Sequence, residues 1–127
     1  MPLDHTLLEE PPIGVAVLAE RYSLEPITIR AWLREGLIEA WQVNRRWLTS
    51  WDAVFAFEGR LSPPIGTARE EAKKPLLTVE WIARRFKKSQ RTVRGWFADG
   101  RLSGQKIVKI WYADAAALRD FDPGFGR

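Results

Sequence analysis

The sequence predicts a mainly α-helical protein with small β-hairpins, built as two tandem copies of one module. Two observations carry this prediction: a gapless internal repeat, and the same order of helices and short strands in each copy. When the chain is shifted by 64 positions, residues 15–58 align with residues 79–122, and ten of the 44 pairs are identical. The identical pairs are Val15/Val79, Ala19/Ala83, Arg21/Arg85, Thr28/Thr92, Arg30/Arg94, Trp32/Trp96, Gly36/Gly100, Trp47/Trp111, Ala53/Ala117 and Phe57/Phe121. A repeat of about 45 residues is too long for most solenoid units and long enough for a very small domain.

The repeat divides the chain into two domains near the lower size limit for independent folding. We assign residues 1–58 to the first domain, with a tail over residues 1–12, and residues 76–122 to the second. Residues 59–75 form the predicted linker and residues 123–127 a short tail. As a flexible coil of about 17 residues, the linker would span roughly 20–25 Å, and more than roughly 50 Å when fully extended.

Charge is distributed unevenly over the 127 residues. The net charge is +4, but residues 1–64 carry −3 and residues 65–127 carry +7. A strongly basic half favours a polyanionic partner, usually a nucleic acid, although a solubilising surface is the alternative. The absence of Cys excludes disulfides, thiolate metal sites and cysteine nucleophiles.

The composition argues against several other classes of protein. Residues 1–20 contain no Lys or Arg, which is atypical of a signal peptide, and the longest apolar run, 13–19, is too short to span a membrane. The only histidine, His5, lies in the tail, and no nucleophile elbow, phosphate loop or dinucleotide-binding glycine pattern is present. We therefore expect a cytoplasmic protein that is no enzyme, with no metal, cofactor or small-molecule ligand.

In the second copy, capping residues mark two short helices. Thr78 is a candidate N-cap, and Ser89 offers a second N-cap just beyond the first helix. The second helix stops at Gly100, which suits a left-handed position after a helix. Helical spacing predicts that the apolar residues of the two helices are buried. These residues are Val79, Ile82, Ala83, Phe86, Val93, Trp96 and Phe97.

A hairpin and a last helix complete the second copy. Leu102–Lys106 and Lys109–Ala113 are predicted as strands, with the bend at Ile107-Val108. Asp114 caps the last helix, whose Leu118 and Phe121 are expected to return to the core.

The first copy repeats this order. Its predicted elements are a helix over Val15–Tyr22, a helix start at Pro26, a helix over Ile27–Glu35 ending at Gly36, a hairpin from Ile38 to Leu48 around Asn44-Arg45, and a helix over Trp51–Glu58 behind Ser50. Helix, turn, helix, hairpin, helix is the order of a winged helix-turn-helix domain. The predicted fold class is thus mainly α with small β-hairpin wings, in two tandem winged helix-turn-helix domains.

Both copies also resemble known families. Residues 28–38 resemble the recognition helix and exit of MerR-type winged helices, while residues 43–48 with Asp52 resemble the wing and next helix of phage and transposon excisionases. Residues 77–80 with Ala83, and residues 89–93, are similar to the opening of the excisionase-like family. The resemblance covers both repeats and implies binding to double-stranded DNA. No long heptad helix or effector domain follows the wing, so sensing of a small molecule is not expected.

The second helix of the second copy carries the side chains best suited to reading DNA. In a helix-turn-helix this helix enters the major groove. Gln90, Arg91 and Arg94 share its front face; Arg can fork onto guanine and Gln can pair with adenine, each worth about 1–3 kcal/mol of discrimination. Further DNA contacts, mainly to phosphate, are expected from Ser89, Thr92, Lys87, Lys88, Lys106 and Lys109. The alternative is a basic helix face that only contacts solvent.

The first copy is the weaker candidate for reading bases. Its predicted DNA-binding residues are Thr28, Arg30 and Arg34 on the helix and Asn44, Arg45 and Arg46 on the wing. Pro26 replaces Gln90, and Ile27 replaces Arg91. Three roles are open for Ile27: contact with a thymine methyl group, burial in the core, or contact with a protein.

Three tryptophans, Trp41, Trp51 and Trp81, have no aromatic counterpart in the other copy. Large aromatic residues outside a repeated core are candidates for contact between modules or with a partner. Partial burial on their own helix or hairpin is the alternative.

The predicted function is binding of double-stranded DNA at adjacent half-sites. Adjacent major grooves on one face of DNA lie about 34 Å apart, and the predicted linker could span this distance. An excisionase-like architectural factor in DNA recombination, associated with the nucleoid, is favoured. The alternatives are a small transcriptional regulator acting as a repressor, or an adaptor whose first module binds a protein. The partners expected besides DNA are a recombinase or integrase, a polymerase, or a second copy of the chain on DNA. No interaction with a membrane is expected.

Overall fold

The computed structural model describes the backbone of residues 10–125 and the side chains of residues 10–121. Residues 1–9 of the predicted tail, which include His5, therefore lie outside the described residues. The chain divides into two compact units, Met1–Lys74 and Pro75–Arg127. The described residues form seven helices and two three-stranded antiparallel sheets. Among them, no helix combines the length and apolar character that a membrane-spanning segment needs.

The first unit contains four helices and one sheet. Its elements are β1 (Ile13–Gly14), α1 (Val15–Tyr22), α2 (Pro26–Arg34), β2 (Ala40–Val43), β3 (Arg46–Thr49), α3 (Trp51–Phe57) and α4 (Thr67–Ala72). The sheet order is β1-β3-β2. The two-residue strand β1 was not predicted; it pairs Ile13 with Thr49 and Gly14 with Leu48.

The second unit repeats this architecture. Its elements are β4 (Leu77–Thr78), α5 (Val79–Phe86), α6 (Gln90–Ala98), β5 (Gln105–Ile107), β6 (Ile110–Ala113) and α7 (Ala115–Phe125). The sheet order, β4-β6-β5, corresponds to that of the first unit. The predicted sequence of two helices, a hairpin and a helix is thus present in both units.

Capping side chains begin four of the helices as the sequence predicted. The side chains of Ser50, Thr78, Ser89 and Asp114 each accept a hydrogen bond from the backbone N–H three residues on, at 2.8–3.1 Å. Such caps satisfy N–H groups that have no partner within the helix.

The two hairpins share one turn geometry. Asn44 and Arg45 have φ of 52° and 68°, and Val108 and Lys109 have φ of 47° and 72°. Positive φ at both central residues is typical of the tight two-residue turn that matches strand twist. In the second unit the predicted bend at 107–108 is wrong by one residue. Ile107 is buried and pairs with Ile110, which draws it into the strand.

Three aromatic rings close the core of each unit at equivalent positions. In the first unit the ring centroids of Tyr22, Trp32 and Phe57 lie 5.4–6.2 Å apart. In the second, the counterparts Phe86, Trp96 and Phe121 lie 5.0–5.9 Å apart. Each triad joins the first, second and last helices of the repeated module.

The first unit also contains a buried ion pair. The Arg21 guanidinium donates to both oxygens of Glu58 at 2.8 and 2.9 Å, and the Tyr22 hydroxyl donates to Glu58 at 2.5 Å. Burial raises the pKa of Tyr22 above its usual value, so the phenol stays protonated as a donor. Arg21 further donates to the carbonyl oxygens of Ala72 and Lys74. The pair therefore fixes the chain that follows α4.

Residues 59–74, expected as most of a flexible linker, belong to the first unit. Arg69 of α4 is 5% exposed and donates hydrogen bonds to the Glu10 carboxylate, to Asp52 and to the carbonyl of Pro63. Lys73 forms a further ion pair with Glu10. Since these contacts order the segment, the calculated reach of a 17-residue coil does not apply.

Gly104 is a site where the repeats differ for a steric reason. A Cβ atom there would lie 2.3 Å from the Phe97 ring and 2.5 Å from the Tyr112 carbonyl oxygen. The first unit has Leu33 and Ala40 at the positions of Phe97 and Gly104. Phe97 stacks on Trp111 with ring centroids 5.0 Å apart, so the larger ring occupies the space of the missing methyl.

We predict that Gly104→Ala destabilises the protein by about 1–3 kcal/mol, as overpacking does. In a double-mutant cycle, Phe97→Leu should recover part of that loss, giving a coupling free energy of at least about 0.5 kcal/mol. The measurement is urea denaturation of all four proteins. Gly95→Ala is the control: its Cβ meets open space within α6, so it should stabilise by about 0.5–1 kcal/mol. Zero coupling would contradict a role for the Phe97 ring.

We also predict an acid-sensitive contribution from Glu10. The hydrogen-bonded Arg69 guanidinium lowers the pKa of Glu10 from 4.5 to about 2. The stabilisation is therefore complete above the unfolded value of 4.5 and is lost as the pH falls toward 2. Between these values the free energy of unfolding of the wild type should fall by on the order of 1–2 kcal/mol more than that of Glu10→Gln.

Denaturant titrations across this pH range test the prediction. Glu70→Gln is the matched control, because it removes an exposed carboxylate from α4 and should preserve the wild-type pH dependence. Equal pH dependence of the wild type and Glu10→Gln would show that the Arg69–Glu10 contact adds no stability.

Candidate nucleic-acid interface

The second helix of the second unit, α6, packs one side into the core and leaves the other in solvent. Helix α5 ends at Phe86, Lys87 adopts a left-handed conformation, and Ser89 caps α6. Val93, Trp96 and Phe97 form the buried side of α6. The three-residue connection therefore sets α6 beside α5 with a free outer face.

That outer face is basic. Gln90, Arg91 and Arg94 are exposed as predicted, and Arg94 donates to the Gln90 side chain at 3.4 Å. Within the described side chains, neither Arg91 nor Arg94 has an ion-pair partner. Two other arginines of this unit are paired, Arg84 with Glu80 and Arg101 with Asp99. The outer face of α6 is therefore a concentration of unneutralised positive charge.

Small residues continue this face and were not singled out from the sequence. Gly95 and Ala98 are exposed and follow Arg91 at four and seven positions, the spacing of one helix face. This spacing can be read from the sequence, so it could have identified both residues as part of the face. Without side-chain bulk there, another molecule can approach the helix backbone closely.

The hydroxyl groups predicted to reach phosphate already have partners within the chain. Ser89 Oγ accepts the N–H of Thr92 and shares a hydrogen bond with the Thr92 hydroxyl, at 3.1 and 2.9 Å. Both side chains remain exposed. Their first role in the structure is to begin α6, and their spare hydrogen-bonding capacity faces solvent.

A shallow notch of about 500 Å³ lies between α5 and α6. Its lining includes Lys87, Lys88 and Arg84, with Glu80 as the acidic member. Arg84 was not among the predicted binding residues; it pairs with Glu80 at 3.6 Å. The surplus positive charge of the notch suits an anionic group.

The structure separates the two predicted wing lysines. Lys109 lies in the hairpin turn and is exposed. Lys106 lies in β5 opposite Trp111, with its Nζ 5.4 Å from the centroid of the Trp111 ring. Lys109 is therefore at the tip, whereas Lys106 is held along the strand.

The first unit presents the corresponding residues with less charge. Arg30 and Arg34 are exposed on α2, and Thr28 is half-buried. Ile27 is 71% exposed, which rules out burial in the core. The hairpin tip consists of Asn44 and Arg45, with Arg46 beside them, and all three are exposed.

The three tryptophans without an aromatic counterpart in the other repeat fall into two groups. Trp41 and Trp81 are 44% and 42% exposed, so both are accessible to a partner. Trp51 is only 8% exposed, so the hypothesis that it contacts a partner is wrong. Its ring stacks on Phe55 and lies 5.4 Å from the Arg21 guanidinium, which makes it part of the first unit's core.

A second concavity, of about 620 Å³, lies in the first unit beside α4. Its lining includes Glu10, Asp52 and Arg69, which are paired with one another, and Ser50, which caps α3. No group of three potential metal ligands occurs among the described residues. The charged side chains of this concavity thus hold α4 in place.

Comparison of this chain with protein-family models, with curated proteins and with solved structures gave no match. A function must therefore be inferred from the side chains of the two units and from the differences between the repeats.

Proposed function

We propose that each unit is a winged helix-turn-helix domain and that the protein binds double-stranded DNA. In this proposal α6 enters the major groove, the β5–β6 hairpin contacts the neighbouring backbone, and α2 with its hairpin makes a second, weaker contact. The favoured biological role is that of an excisionase-like architectural factor in recombination. The same contacts would serve a small transcriptional regulator.

One observation carries the proposal. Of the ten identical pairs between the repeats, most are buried or half-buried in at least one unit, and Gly36/Gly100 have φ of 80° and 84°. Arg30/Arg94 is the one remaining pair, exposed in both units. An arginine that neither packs nor shapes the backbone has no structural reason to recur. Its recurrence on the outer face of each second helix favours a binding role.

The geometry around Arg94 suits a DNA duplex. The major groove of B-DNA admits an α-helix, and Arg and Gln form bidentate pairs with guanine and adenine. Arg91 and Gln90 share the exposed face with Arg94, and the small Gly95 reduces the steric bulk there. Lys87, just before α6, and Lys109, in the β5–β6 turn, are both exposed, and phosphate contacts made by them would fix the orientation of the helix.

A protein adaptor is the second candidate. Trp41 and Val43 alternate along β2, so they share the outer face of the sheet, where they are 44% and 47% exposed. Exposed aromatic and aliphatic side chains on one face are typical of protein-contact surfaces. A recombinase, a polymerase or a second copy of the chain would be a suitable partner.

We predict that Arg91→Ala/Arg94→Ala removes the sequence preference of the second unit. Each lost bidentate contact should cost about 1–3 kcal/mol, or about 30-fold to 10⁴-fold in affinity for both, because base contacts are lost with the charge. The measurement is selection from a random double-stranded pool, followed by titration of the enriched sequence. Arg101→Ala/Arg119→Ala is the control, since it removes two exposed charges elsewhere in the unit and should retain the motif.

Two outcomes would contradict the DNA proposal. If the wild type binds no duplex at low salt, the proposal of DNA binding is wrong and the protein adaptor becomes the better hypothesis. If the Arg91/Arg94 variant selects the wild-type motif with wild-type affinity, α6 does not read the bases.

We further predict that Lys87→Ala/Lys88→Ala weakens binding to all sequences about equally. Two phosphate contacts should lower the slope of log K against log salt concentration by about 2, with the enriched motif unchanged. Titrations of specific and random duplexes at four salt concentrations measure both quantities. An unchanged slope would place the notch between α5 and α6 away from the DNA backbone.

A further inference from the structure

The outer face of α2 begins with apolar side chains where that of α6 begins with polar ones. Pro26 and Ile27 occupy the positions of Gln90 and Arg91 in the repeat. Ile27 is 71% exposed, more than any other large apolar side chain within a described helix, and Pro26 is also exposed. The first unit thus presents an apolar group at the site that is cationic in the second.

The fold does not use Ile27. The buried side of α2 consists of Ile29, Trp32 and Leu33. Ile27 lies instead on one face with Arg30 and Arg34, three and seven positions further on. Both arginines are exposed and have no ion-pair partner within the described side chains. Ile27 therefore belongs to the same surface as the recurring arginine.

We propose that Ile27 makes the first unit selective for thymine, by contacting the 5-methyl group in the major groove. This inference rests on the proposed DNA binding. Among the base edges in the major groove, thymine presents the apolar methyl group, whereas the other groups are hydrogen-bond donors and acceptors. Pro26 has no N–H and adds a second apolar surface beside Ile27.

The two units consequently recognise different bases. Arg91 of α6 is suited to guanine, whereas Ile27 of α2 has no group that could form a hydrogen bond with a base edge. Burial of one methyl group against an aliphatic side chain corresponds to about a four-fold change in Kd. The thymine contact therefore refines the binding site and does not dominate affinity.

Replacement of thymine by deoxyuridine tests this directly, because it removes the methyl group and keeps base pairing. Each thymine in the duplex selected by the full-length protein is replaced in turn, and Kd is measured for the wild type and for Ile27→Ala. We expect one thymine at which uracil weakens wild-type binding about four-fold while Ile27→Ala binds both duplexes alike. Ile65→Ala is the matched control, since Ile65 is a 55% exposed isoleucine of the same unit and should keep the wild-type response.

The outcomes separate this inference from the proposed function. If the wild type binds no duplex, the proposed function itself fails. If the wild type binds a motif but no thymine distinguishes it from Ile27→Ala, the thymine contact is wrong and DNA binding stands. Loss of affinity by Ile27→Ala that is equal for thymine and uracil would likewise overturn the contact.

Discussion

Each unit depends on one contact: a triad of aromatic rings contributed by its first, second and last helices. A module of about 45 residues can bury only a few side chains, so each large ring in its core buries a substantial part of the apolar area that holds it together. In both units the ring centroids lie between 5.0 and 6.2 Å apart. The buried side of the second helix consists of three residues in each unit, including the Trp of the triad, and the opposite side faces solvent. The core thereby determines which face of α2 and α6 meets solvent.

The triads differ by one hydroxyl group, and in the first unit that hydroxyl belongs to a buried ion-pair cluster. Tyr22 donates a hydrogen bond to buried Glu58, which in turn holds Arg21. At the equivalent places the second unit has Phe86 and an exposed Arg85, whose guanidinium lies over the Phe86 ring. A buried ion pair is costly to break, because the remaining charge loses its partner at a cost of about 3–5 kcal/mol. Arg21 therefore holds the backbone after α4 firmly, and the first unit extends to Lys74.

Much of the fold could be predicted from local chemistry. Ser50, Thr78, Ser89 and Asp114 are capping residues whose side chains act within three residues, so the sequence alone locates them. The outer face of α6 could be predicted for the same reason, since helical periodicity separates Arg91 and Arg94 from the buried residues. The contact of these side chains with DNA is a separate inference, which rests on their charge and on the recurrence of Arg94.

Features that depend on distant partners could not be predicted in this way. Strands β1 and β4 have two residues each, too few for an alternating pattern, and exist because they pair with β3 and β6. Arg69 looks like part of a charged surface run, but its carboxylate partner Glu10 is 59 positions away. Trp51 has no aromatic counterpart in the repeat, yet Lys73, in the same segment as Arg69, places its Nζ 5.9 Å from the centroid of the Trp51 ring. For β1 and β4 the missing information was strand pairing within the unit, and for Arg69 and Trp51 it was a tertiary contact formed by residues 59–74.

Most of the ten identical pairs are buried or half-buried in at least one unit, whereas the exposed faces of the two second helices differ at Ile27 and Arg91. In the core, one difference between the repeats is compensated by another. The second unit has Phe97 and Gly104 where the first unit has Leu33 and Ala40. Substitution on the outer face of the second helix has no such constraint, because Ile27 and Arg91 both lie in solvent. A change there leaves folding intact and alters only what the surface can bind. The shared Arg30/Arg94 would then supply a common contact, while the residue three positions before it would set what each unit selects.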